Sequence, residues 1–204
     1  MTAQIDDLVH FGGTAYALAG IAREGGQLFD PDEHKLHPDG VCSACWRGYL
    51  AQYAVRDDAL VLDELVIGLP ESERDCRVFD RPFEPLPKRD EDDHGIESWF
   101  THTLAGVPVP LEFTGGLLLA REFIDELYVH MGFHPAWKYR EVRELVFDAG
   151  KLAAAHDRSA DMAEARKRFA GSDMPTGENE RDVRQWIERV FDRDYFRRAS
   201  GGVL

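Results

Sequence analysis

Cysteine is scarce: Cys42, Cys45 and Cys76 are the three in 204 residues. An odd, small number does not build the disulfide framework of a small secreted domain. Asparagine is scarcer still, since Asn179 stands alone and opens no Asn-x-Ser/Thr sequon. Residues 1–7 carry neither a basic patch nor an apolar core, so no signal peptide is read there. No apolar run approaches the roughly 20 residues that span a bilayer. These absences predict a soluble protein of a reducing cytoplasm. Lysine is short as well, at 5 against 19 arginines, a bias that points to a GC-rich bacterial gene.

Positive charge is the other deficit. The formal net charge is −14, and so acidic a surface repels phosphate backbones and anionic lipid. Nucleic acid and bare membrane are therefore excluded as expected partners. Solubility is the plain use of such charge, and docking on a protein with a basic surface is the specific one. Familiar catalytic signatures are missing too: no G-x-S-x-G, no P-loop, no G-x-G-x-x-G and no H-E-x-x-H.

What is present describes one folded domain over residues 1–204. Hydrophobic residues make up 44% and charged residues 30%, ordinary for a globular chain. The first half reads as hairpins. Segments 16–22 and 27–29 flank a Gly-bearing turn at 23–26. Segments 45–55 and 59–67 flank Arg56-Asp57-Asp58. Tyr49, Ala51, Tyr53 and Val55 fall at period two, the pattern of a half-buried antiparallel strand. Residues 71–95 carry three prolines among many charges and read as a long exposed loop, with Phe79, Phe83 and Leu86 available to pin it. Residues 107–119 read as extended, interrupted by Gly115-Gly116.

Leu119, Phe123, Leu127 and Met131 stand four apart, which predicts a helix over 119–130 stopped by Gly132 and Pro135. Segments 142–147 and 151–156 around Asp148-Ala149-Gly150 read as a further hairpin. Residues 161–170 read as helix and 171–179 as a linker. A last helix, 180–198, carries a stripe of Val183, Trp186, Ile187, Val190 and Phe191. The expected fold is α+β: a twisted antiparallel sheet of meandering hairpins with a central packed helix and C-terminal helices.

Three constellations bear on function. His34, His37, Cys42 and Cys45 offer the four N/S ligands of a tetrahedral zinc site that would organise a polar loop. The alternative is solvated histidines beside two small buried cysteines at a strand start. His130, His134 and Trp137 surround a helix-to-loop corner. Trp46, Arg47 and Tyr49 open a strand, with Arg47 able to grip a carboxylate or phosphate or to form an internal ion pair. Together these six are candidate lining residues for a ligand pocket between sheet and central helix.

The leading functional expectation is a non-catalytic, intracellular bacterial binding or accessory protein with an acidic surface, of the immunity or inhibitor kind. A small-ligand binder or enzyme using that pocket is the first alternative, and a zinc-organised module the second.

Overall fold

A computed structural model describes residues 2–22, 27–39, 42–87 and 99–169. It contains eleven strands: β1 (Leu8–Phe11), β2 (Thr14–Ile21), β3 (Tyr49–Arg56), β4 (Ala59–Ile67), β5 (Arg77–Val78), β6 (Arg81–Pro85), β7 (His102–Leu104), β8 (Val109–Pro110), β9 (Gly115–Phe123), β10 (Tyr139–Asp148) and β11 (Lys151–Asp157). One α-helix, α1 (Ser159–Phe169), follows them. The α+β expectation is thereby corrected. Among the described residues the protein is a single large mixed sheet of eleven strands with one helix, not a balance of sheet and helices.

The strands run in the order β11-β10-β9-β2-β1-β3-β4-β7-β6-β5, with β8 on the side of β4. Every pairing is antiparallel except β1 with β3. The sheet curls until β11 meets β4 at Lys151 and Ala59. Leu60 N–H donates to Gly150 O and Leu152 N–H to Asp58 O, each at 2.8 Å, so the β3–β4 and β10–β11 turns close the seam at one end.

Two-residue turns with positive φ set the hairpins, as the right-handed twist of paired strands requires. They are Gly12-Gly13 (58° and 78°), Asp57-Asp58 (50° and 59°), Phe79-Asp80 (51° and 59°) and Ala149-Gly150 (46° and 79°). The hairpins expected at 45–67 and 142–156 accordingly form. That expected between 16–22 and 27–29 does not: β2 turns back through Gly12-Gly13 onto β1, and residues 27–29 are not strand.

A bulge keeps β4 facing inward. Gln52 opposes Glu64 and Tyr53 opposes Leu62, so Asp63 is the extra residue. One extra residue inverts the alternation, which lets Leu60, Leu62, Leu65 and Ile67 all join one core.

The helix expected over 119–130 is the second correction. Residues 115–123 are β9, in the middle of the sheet between β10 and β2, and only Asp125–Leu127 makes a short 3-10 turn. The cause is burial on both faces. Leu117 and Leu119 enter the main core with Val9, Leu18, Leu145 and Phe147. Leu118 and Ala120 enter a second core with Ala19, Trp137, Tyr139, Val142 and, from α1, Met162 and Ala165. A strand covered on both sides shows an unbroken apolar run instead of period two. The four-residue spacing beyond Leu119 is then coincidental.

Within the stretch expected as a loop, β5 and β6 pair around Phe79-Asp80, and β6 continues onto β7. Val78 and Phe83 are buried in the main core. The turn at 23–26, residues 88–98, the linker 171–179 and the helix 180–198 lie outside the described residues. No helix among the described residues is long and apolar enough to cross a membrane.

Candidate functional site

The N-terminal segment before β1 brings the two expected clusters to one corner. Gln4 N–H donates to Gly132 O at 2.8 Å. Its side chain accepts from Trp46 N–H at 2.8 Å and donates to Ser43 O at 3.0 Å. Arg47 forks onto the Asp7 carboxylate at 2.6 and 3.0 Å and donates to Ile5 O at 3.2 Å. Asp7 also accepts from Ala51 N–H at 3.0 Å. The guanidinium lies 4.7 Å from the Tyr49 ring centre and 5.0 Å from that of Phe133, within cation–π range. Burial opposes its charge, but the Asp7 carboxylate outweighs burial and holds its pKa above the usual arginine value. Arg47 is thus committed to an internal ion pair wedged between two rings.

Gly48 makes this corner possible. Its φ is 69°, and a Cβ there would lie 2.7 Å from Pro38 Cβ. The chain can then turn into β3 so that Tyr49 enters the core, where its hydroxyl proton is shared between Gln27 Oε1 at 2.5 Å and Phe29 O at 2.9 Å. Burial raises the Tyr49 hydroxyl well above its ordinary pKa. Trp46 turns the other way and is 54% exposed.

Across the corner, the β9–β10 connection carries the histidines. His130 is exposed against the edge of Tyr128. His134 is buried, with Phe123 and Tyr128 ring centres at 4.8 and 5.2 Å. Trp137 and Lys138 are buried in the 3-10 turn Ala136–Lys138. The Lys138 ammonium donates to His134 Nδ1 at 3.3 Å. That assigns the imidazole proton to Nε2, a buried donor with no acceptor among the described residues. Burial, then the Lys138 charge, lowers His134 to about 4. Burial lowers Lys138 to about 8. Near neutrality the pair is a cationic amine beside a neutral imidazole. Such a pair can hold one acceptor atom at Nε2, or, once Lys138 loses its proton, provide a base or nucleophile.

Of the four candidate metal ligands, the two histidines and Cys45 each have other side-chain contacts. His34 stacks on Phe29 at 5.4 Å and meets the edge of Phe79 at 4.9 Å, and burial lowers its pKa. His37 takes both oxygens of Glu73, through Nδ1 at 2.7 Å and its backbone N–H at 2.8 Å. Cys45 Sγ donates to Tyr49 O at 3.2 Å. Among the described residues no three His, Cys, Asp or Glu side chains are grouped to hold a metal ion.

No protein-family model, curated protein or solved structure matches this chain. The site therefore rests on its own geometry.

Of the six pocket candidates, Arg47 reaches Phe133, the neighbour of His134, while Trp46 and His130 are at the surface and Tyr49 is in the main core. Sequence reasoning missed Asp7, Gln4 and Lys138. Lys138 had one legible signal, a charge between Trp137 and Tyr139 in a chain with few lysines. Asp7 and Gln4 had none, because their partners lie about 40 positions along the chain.

Proposed function

We propose that the protein is a non-catalytic binding or accessory protein of the bacterial cell interior, of the immunity or inhibitor kind, that docks a partner protein with a basic surface. The supporting observation is the closed end of the sheet. There the Asp57-Asp58 turn and the Asp148-Ala149-Gly150 turn are hydrogen-bonded together. Glu112 lies beside Gly150, with its Cα 3.7 Å from where a Cβ on that glycine would be. All four carboxylates are exposed, and the neighbouring Arg56 is paired with Asp63. Lys151 sits among them. Elsewhere, three arginines are paired with carboxylates: Arg47 with Asp7, Arg158 with Glu144, Arg121 with Glu141. A concentrated acidic rim on a rigid hairpin end steers a basic partner and fixes its register.

Affinity purification from the source cells at low salt, followed by binding measurements on whatever is recovered, tests this. The reading expects a basic protein bound stoichiometrically. Its affinity should fall steeply with salt, and should fall at least roughly tenfold in an Asp57→Lys/Asp58→Lys/Asp148→Lys variant that remains folded. Undiminished binding by the charge-swapped variant overturns it.

The buried Lys138–His134 pair supports the ligand-binding or enzymatic alternative. A small molecule that protects Lys138 from amine-directed labelling would favour that reading over the first.

A further inference from the structure

We propose that Cys42 and Cys45 are a reversible thiol–disulfide pair, closed and reopened by exchange with low-molecular-mass disulfides and thiols of the glutathione class. All three cysteines are free thiols. Cys42 and Cys45 face each other across a two-residue turn as an isolated antiparallel bridge. Cys42 N–H donates to Cys45 O at 3.1 Å, and Cys45 N–H to Cys42 O at 3.0 Å. Residues that exchange both backbone bonds stand about 5.5 Å apart at Cα, inside the window of about 4.4–6.8 Å that a disulfide spans. Directly opposed residues also project to the same side of the ribbon.

The two sulfurs have unequal roles. Cys42 is half-buried and is the one an external disulfide can reach. Cys45 is buried, its thiol donating to Tyr49 O, and burial raises its pKa. The Cys42 thiolate attacks one sulfur of the small disulfide, forming a mixed disulfide and releasing one small thiol. Cys45, giving up its proton, then attacks the Cys42 sulfur and releases the second small thiol. The protein loses two hydrogens and the small disulfide is reduced to two thiols, so electrons and atoms balance. Excess small thiol reverses both steps.

The turn is not free to adapt. Ile5 N–H donates to Ala44 O at 2.9 Å and Gln4 to Ser43 O at 3.0 Å, which pins the loop to the N-terminal segment. Opposed Cβ atoms in such a ribbon are about 4.5–5.5 Å apart, whereas a disulfide wants about 3.8 Å. Closure must draw them together by roughly 1 Å against that restraint. A disulfide formed this way is reduced readily, which suits a switch more than a permanent brace.

The test is equilibration of the folded full-length chain in buffers of graded glutathione disulfide to glutathione ratio, with acid quench, alkylation and intact mass. The expected result is a species lighter by two hydrogens with one alkylatable thiol, restored by excess glutathione. Cys76→Ser should behave identically apart from leaving none. Cys45→Ser should stop at a glutathione adduct on Cys42, and Cys42→Ser should show no bridge. Three free thiols in the most oxidising buffer, a lasting glutathione adduct on wild type, or a bridge using Cys76 would each overturn the proposal.

Discussion

Replacing Lys138 by methionine should stabilise the protein near neutral pH and remove one limb of its pH dependence. Burial lowers the Lys138 amine from 10.5 in the open chain to about 8. The residue is 1% exposed, so solvent relieves little of this. At about 1.4 kcal/mol per pH unit, keeping the amine charged in the folded state costs roughly 3 kcal/mol at pH 7. Between about pH 8 and 10.5 the unfolded chain still holds a proton that the folded chain has released. The unfolded state then binds more protons, and stability rises with pH across that window.

Methionine has similar length and no charge. It also deprives His134 Nδ1 of a donor, a loss of about 1 kcal/mol. The net expectation is a gain of roughly 1–2 kcal/mol at pH 7. By pH 10 the difference between variant and wild type should move by about 2–3 kcal/mol in favour of wild type. Tyr49 and Tyr53, both raised by burial, drain stability as pH rises past 10, but equally in both proteins. Urea unfolding followed by tryptophan fluorescence at the two pH values measures this. A variant more than about 1 kcal/mol less stable at pH 7, with a pH-independent difference, would refute the reasoning.

His134 predicts the acid limb. Its folded value of about 4 lies below the ordinary 6.5, so stability present at pH 7 should decline by about 2 kcal/mol on going to pH 5, and His134→Gln should flatten that decline in the same melts. Asp7→Ala leaves Arg47 uncompensated between two rings and strips Ala51 N–H of its acceptor. Chemical denaturation should record a loss of about 3–5 kcal/mol, and a loss under roughly 1 kcal/mol would show the pair to be well solvated. Leu118→Ala should cost about 2–5 kcal/mol, as much as Leu119→Ala, because the outer face of β9 is as dry as the inner one; a negligible cost for Leu118 would mean that α1 does not cover it.

How much was legible follows from where each signal resides. The β3–β4 and β10–β11 hairpins were readable because Asp57-Asp58 and Ala149-Gly150 advertise their turns locally. The helix at Ser159–Phe169 was readable to within two residues at its start. β9 was legible only in its first half, which reads as extended up to Leu119; its remainder was not, because its double burial comes from α1 and the Ala136–Lys138 turn on one face and the main core on the other, not from residues 115–123 themselves. β1 is four residues long and gave too short a run to detect. At the site, Arg47 and His134 stood out by residue type, yet what they do depends on distant partners. Asp7 makes Arg47 a structural cation, and Lys138 makes His134 a neutral donor.

Everything placed at the corner and at the acidic rim depends on β9 being the shared wall of two cores. Native-state hydrogen exchange tests that directly. The amides of Leu117–Ala120 should be among the slowest in the protein and should exchange only through global unfolding, with the same denaturant dependence as the urea melt. If they exchange through local opening, faster than the amides of β3 and β4, then β9 is not the wall between the cores and the account is wrong.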